Sequence, residues 1–293
     1  MPAVVEPLVQ PGPAQVPAKT TARYATLMVH AEPHLAATQR VEFAARLARE
    51  LDARLIGVAA QCLTPFLVND PAAGYAPDQR IAVLVRDLQA DLKAADEAFR
   101  RDTAGADVEL RTIEEAPAAA LAEAARAADL IVVSPKASAR NYREADPGEV
   151  VVRTGKPVLI VPPHAHRLDL DTIVVAWKDS RECRRAVAAA LPFLQRARRV
   201  VIRGVCDDGL AGTVGPQLAD VVGMLERHGV RAESEIGPSD GGVAKTLMRT
   251  MSRHDADLLV MGAYGHTRAT ELVFGGVTEH FLRRPACCVL MAH

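Results

Sequence analysis

Gly262, Gly265, Gly275 and Gly276 flank one excursion, "GAYGHTRATELVFGG", which leaves the apolar run "DLLVM" and returns into the helix-like "VTEHFLRR". Glycine lets a backbone come close to an anion, and successive amides of such a loop can point inward as a nest. A helix opening at Gly276 and Val277 would add its first amides and the positive end of its dipole. Thr278 would add a hydroxyl. The spacing G-x2-G-x9-G-G-x-T fits a phosphate cradle. It also fits a tight turn that needs flexible residues, and both readings stand at this point. His266, inside the excursion, either approaches a phosphate or faces solvent.

No other group of residues makes a reaction centre. There is no nucleophile elbow with Ser, His and Asp, no pair of acids in a sugar cleft and no Walker-type G-K-T. The histidines lack a metal spacing such as H-E-x-x-H. "HAH" at 164–166 reads as a solvated part of a connection. Cys287 and Cys288 are neighbours in an apolar strand and so face opposite sides, which is poor geometry for one metal. Cys206 has no second cysteine close in sequence. Arg196, Arg198 and Arg199 cluster near a helix end, where cations meet the negative end of the dipole. "GPSDGGVAKTL", residues 237–247, joins a strand to a helix, with Asp240 as the expected cap and Gly241 and Gly242 as a turn. Cap and ligand contact are both open for it.

The elements that would position the excursion alternate. Strands are expected at 25–30, 53–60, 129–134 and 156–162, then at 171–177, 198–206, 257–262 and 287–293. Helical spacing of apolar residues marks 37–51 and 181–194. The order repeats. Val29 matches Ala176 and Gly57 matches Gly204 at one constant offset, and "AARAADLIVVS" matches "MSRHDADLLVMG". Two copies of one domain follow. Short β-branched runs between helices indicate parallel sheets covered on both faces. The fold class is therefore α/β, with two tandem Rossmann-like domains, each a parallel five-stranded sheet flanked by helices. The expected bounds are a Pro-rich, disordered or extended leader at 1–22, a first domain at 23–163 and a second at 170–293. In doubly wound sheets ligands sit at the carboxyl ends of strands, where the strand order reverses. Gly262 leaves such an end, and Ala176, Trp177, Lys178 and Val205 stand at the ends of neighbouring strands.

The second half, from "TIVVAWKDSRECRRAV" through "ADLLVMGAYGH" to "GGVTEHFLRRPACCVLM", resembles a universal stress protein domain. The doubled arrangement resembles the tandem members of that family, whose fold is the adenine nucleotide alpha hydrolase-like type. ATP-binding members resemble this sequence at Gly262, Gly265 and Gly275, but carry Ser or Thr where Gly276 stands. The resemblance implies a cytoplasmic stress-response binding module with an ATP-like or phosphate-type anion site in the second domain, magnesium alongside, and at most slow ATP hydrolysis. The nucleotide site would comprise Ala176, Trp177, Lys178, Val205, Gly262, Gly265, His266, Gly275, Gly276, Val277 and Thr278. Family domains pair across their last strands, so "KPVLIVP" and "CCVLMAH" would pair within the chain as a pseudo-dimer, with a homodimer as a further step. Lys178 departs from the pattern by standing where the family has an Asp, and a lysine accepts no hydrogen bond from a ribose or an adenine. The first half has "SPKASARNYREADPGEV" at the loop and "HAEPH" at the strand end. It keeps only Gly148, so no nucleotide is expected there. A ligand-free scaffold acting through protein contacts is the alternative.

The bulk numbers agree with a soluble binding module. In 293 residues, 35 Lys and Arg face 36 Asp and Glu. That balance argues against a nucleic-acid partner. No apolar run reaches the roughly 18 residues of a membrane span. The five cysteines, odd in number and scattered, suit a reducing compartment.

Overall fold

The structure, a computed structural model, describes residues 21–32, 35–62, 78–103, 107–136, 143–206, 211–265 and 276–293. Most of the expected leader, the excursion from 266 to 275, His34 and most of the connection after Cys62 lie outside them.

The first half runs β1 (Thr26–His30), α1 (Leu35–Leu51), β2 (Arg54–Ala60), α2 (Asp78–Asp102), β3 (Val108–Ile113), α3 (Pro117–Ala124), β4 (Leu130–Val133), α4 (Pro147–Thr154) and β5 (Val158–Ile160). The second runs β6 (Thr172–Trp177), α5 (Arg181–Leu194), β7 (Arg199–Val205), α6 (Ala211–Arg227), β8 (Ala232–Gly237), α7 (Val243–His254), β9 (Leu258–Gly262), α8 (Gly276–Arg283) and β10 (Cys288–Ala292). All ten strands form one sheet in the order β3-β2-β1-β4-β5-β10-β9-β6-β7-β8. Each half is parallel within itself. The halves meet antiparallel, Val158 opposite Met291, Leu159 opposite Leu290 and Ile160 opposite Val289. The last strands thus pair inside the chain, in the pseudo-dimer arrangement expected of them.

Both sheet faces are covered, as parallel strands require. Under α1, α2, α5 and α6 one apolar core crosses both halves, from Leu27 and Phe99 to Phe193 and Leu225. Under α3, α4, α7 and α8 a second core includes Ile131, Val174 and Phe281. Fully burying each such Leu, Val or Phe contributes about 1.5–3 kcal/mol. The run-in to β1 also belongs to both halves. Tyr24 Oη donates to Ala189 O at 2.5 Å, its ring meets Phe193 edge-on at 5.1 Å, and Ala22 N donates to Gln195 Oε1 at 2.9 Å. The connection between halves is pinned as well. Leu168 is buried, and His164 Nε2 stands 3.1 Å from Ala286 O, so "HAH" is exposed but not merely solvated.

The halves share a capping device. Asp129 Oδ2 accepts from Ala25 N and Thr26 N at 2.8 and 3.0 Å, and Asp257 Oδ2 accepts from Asp171 N and Thr172 N, both at 2.9 Å. Registered on these aspartates, Val29 corresponds to Val175 and not to Ala176. Thr26 pairs with Arg54 and Thr172 with Arg199, separations of 28 and 27 residues. The gapless alignment is therefore off by one residue at β1 and by two at β2, where Gly57 corresponds to Ile202 and not to Gly204. Among the described residues no helix is long and apolar enough to cross a membrane.

Asp129→Ala and Asp257→Ala should each remove two charge-assisted hydrogen bonds and lower stability by about 1–3 kcal/mol. Chemical denaturation should find the two losses similar.

Candidate functional site

In each half the strand order reverses beside the first strand, between β1 and β4 and between β6 and β9. The two reversal points have been filled differently.

In the second half the sheet edge is packed before any ligand enters. Ser180 caps α5, its Oγ accepting from Cys183 N at 3.2 Å. Gly262 ends β9 directly against that helix start. A Cβ there would lie 2.6 Å from Cys183 N and 2.8 Å from Glu182 C. Glycine is thus required at 262 by strand–helix approach. At Gly265 a Cβ would sit 3.1 Å from Glu182 Oε2 and 3.2 Å from Ser180 Oγ. Glu182 is buried, and burial raises its pKa. Hydrogen bonds from Arg181, its own amide and Ser180 outweigh that and lower it, so a carboxylate lies beneath the start of the excursion.

Two amides of the excursion are already used. Ala263 N donates to Ala292 O at 2.9 Å, and Tyr264 N reaches Thr278 Oγ1 at 3.4 Å. Tyr264 holds a left-handed φ of 58° and crosses to the first half. A Cβ on Gly148, in the first turn of α4, would lie 2.5 Å from its phenol oxygen. Burial, then the Glu279 and Asp146 carboxylates, raise that phenol to about 12. Lys136 Nζ spans the same junction, 2.8 Å from Asp146 Oδ2 and 3.8 Å from Glu279 Oε1.

Among the sequence-predicted site residues, Ala176 and Val205 lie on the α7 and α8 face and pack on its core with Val277. Gly276 and Thr278 open α8 beside them. Trp177, next to Ala176 in the strand, points to the opposite face and lies in the other core, 9% exposed. Strand alternation forbids both residues from lining one wall. Lys178 follows on the exposed strand end. His266 and Gly275 lie outside the described residues. Asp240 is not the cap of α7. Gly241 and Gly242, at φ 72° and 101°, carry the turn two residues further, so Gly242 holds the cap position and Asp240 pairs with Arg249. Cys287 and Cys288 do face opposite cores, and burial pushes both thiols up, Cys287 to about 12. Arg198 pairs with Asp171 at 3.3 Å, and Arg199 pairs with Glu233, so these cations make no basic face. Among the described residues no three of His, Cys, Asp and Glu stand close enough to hold a metal ion.

The first half fills its own reversal point with charge. Glu32 Oε2 lies 2.6 Å from His30 Nδ1, and Glu32 Oε1 3.2 Å from Arg40 NH2. Arg40 donates to His30 O through Nε and NH2 at 3.0 and 2.7 Å, and to Ser134 Oγ at 2.5 Å. His30, Glu32 and Arg40 are all buried. Burial alone would raise the Glu32 carboxyl. The charges of Arg40 and His30 and their hydrogen bonds overcome it and bring the pKa down to about 2. Sequence reasoning missed this cluster. The signal was Arg40 itself, which falls on the same helical stripe as the buried Ala37, Val41 and Ala44 and so demands a buried partner.

The family model described as the Universal stress protein family matches residues 169–293. Universal stress protein Slr1230 of Synechocystis sp. is 24% identical over 169 residues, 55% of this chain and 57% of that protein. The chain thus spans little more than half the length of that curated relative. A universal stress protein structure from Archaeoglobus fulgidus superposes over 91% of this chain and 95% of its own, with a TM-score of 0.65 at 14% identity. PA1789 of Pseudomonas aeruginosa, described as functionally unknown, covers 92% of both chains with a TM-score of 0.54 at 15% identity. At these identities the structures speak to the fold.

Gly262→Ala should force α5 off β9 and lower stability by about 1–3 kcal/mol, measured by denaturant melts, whether or not any ligand is present. For Glu32 the folded pKa lies below the ordinary 4.5, so its stabilisation is whole above pH 4.5 and withdrawn as the pH falls toward 2. Stability measured across that window should fall with acid, and Glu32→Gln should flatten that fall while lowering stability at pH 7 by about 3–5 kcal/mol.

Proposed function

We propose that this chain, whose residues 169–293 match the Universal stress protein family model, is a stress-response binding module whose second half takes a nucleotide, or another phosphate-bearing anion, at the carboxyl edge of β6 and β9. The observation that carries the reading is the meeting of Ala176, Val205 and Val277 with the start of α8 on one face. The two strand residues offer an apolar floor, and Gly276, Val277 and Thr278 open a helix whose amides and dipole favour phosphate. His266 and Gly275 belong to the proposed set by their place in the sequence. ATP with magnesium is the first ligand to test, the metal being held largely by the phosphates themselves. The cell compartment would be the cytoplasm.

A scaffold that acts through protein contacts is the second reading, and particular observations favour it. The Ala263 and Tyr264 amides bond within the protein, and the Glu182 carboxylate faces the start of the excursion. Both oppose an anion near Gly265.

Two measurements separate the readings. Protein purified from its host and denatured should release a nucleotide, and added ATP with magnesium should raise the melting temperature. Gly276→Val is the clean variant, because among the described residues a Cβ there meets nothing within 4 Å. It should melt as wild type does and lose the nucleotide shift. A chain that releases nothing and whose melting temperature ignores ATP is a scaffold.

A further inference from the structure

We infer, resting on the nucleotide site just described, that Arg203 reads the base, and that the base it selects is guanine, which offers two acceptors, over adenine. Arg203 belongs to a row across the sheet: Met261 beside Ala176, Ala176 beside Arg203, Arg203 beside Glu235. Partners in register share a face, so Arg203 projects to the α7 and α8 side with Ala176 and Val205. Its side chain leans along the strand to the carboxyl edge. A Cβ on Gly237, the last residue of β8, would stand 3.4 Å from its NH2 and 3.5 Å from its NH1. The guanidinium thus lies over the last residue of β8, in van der Waals reach of a Cβ there.

The natural counterion is engaged elsewhere. Glu235 holds Arg253 at 2.5 Å and His254 at 2.7 Å. Among the described residues no carboxylate lies within 4.0 Å of the Arg203 guanidinium. Its Nε is buried without a hydrogen-bond partner. A guanidinium has five donors and no acceptor, and a buried donor left unpaired is costly. Among the described residues none pairs with this Nε, and acceptors on a ligand would.

The sheet spacing says which part of a nucleotide would supply them. β7 lies two strands from β9, about 10 Å at the usual strand separation. Phosphates beside α8 would leave the base over Ala176 and Val205, against Arg203. Adenine presents there one acceptor, N7, beside a donor amine, and guanine presents N7 and O6, both acceptors, which match the arginine fork in two parallel bonds. Nothing in "VVIRGV" but an arginine inside an apolar strand marks this in the sequence.

The test is calorimetry on the full chain with GTP and with ATP, each with magnesium, for wild type, Arg203→Met and Arg203→Lys. Wild type should bind GTP about 10-fold or more tighter than ATP. Arg203→Met should bring GTP to the level of ATP, leave ATP unchanged and melt no lower than wild type. Arg203→Lys should lose the preference too, because an ammonium keeps the charge without the fork. ATP binding as tightly as GTP overturns the inference alone, as does an equal loss for both nucleotides in Arg203→Met, which would put Arg203 on the phosphates. Binding of neither nucleotide overturns the site reading and this inference with it.

Discussion

Three residue pairs hold this architecture together: Val158 with Met291, Leu159 with Leu290 and Ile160 with Val289. A five-stranded parallel half ends on an apolar strand with an unpaired edge, a template for pairing with another chain. Here each half offers that edge to the other. The antiparallel join makes one ten-stranded sheet and lets each core run beneath both halves. Tyr24 on α5, His164 at Ala286 and Lys136 between Asp146 and Glu279 are then secondary ties across a junction the strands have set.

Much of the sheet was legible because its central strands are buried on both faces and read as apolar runs. "LIVV" and "TIVVAW" need no further signal. The edge strands escaped. β3 and β8, "VELRTI" and "AESEIG", are half-exposed and mix charges with apolar residues, so periodicity does not separate them from loops. The helix α2 escaped as well, behind a long Pro- and Gly-containing connection. The repeat was legible in outline, but the register was not, since only the two aspartate caps reveal that the first half spends one residue more between β1 and β2.

The site was legible as a pattern and ambiguous as physics. Glycines after a strand were offered as anion cradle or as turn, and Gly262 answers to a third cause, a helix backbone too close for any side chain. Spacing along the chain cannot report such a contact. Nor can it tell Ala176 from Trp177, adjacent letters on opposite faces. What the sequence did hold, unused, were two charges in apolar settings, Arg40 on a buried helical stripe and Arg203 inside a strand. The first is answered by Glu32, and among the described residues no carboxylate pairs with the second.

The buried His30–Glu32–Arg40 group sits in one half only, and this follows from the covalent link. In an assembly of two identical subunits every substitution appears twice, so a change that plugs one pocket plugs its mate. Joined in a single polypeptide, the copies answer to separate codons. One could be committed to rigidity by internal ions while the other was free to diverge, a division of labour that gene duplication permits and subunit symmetry forbids.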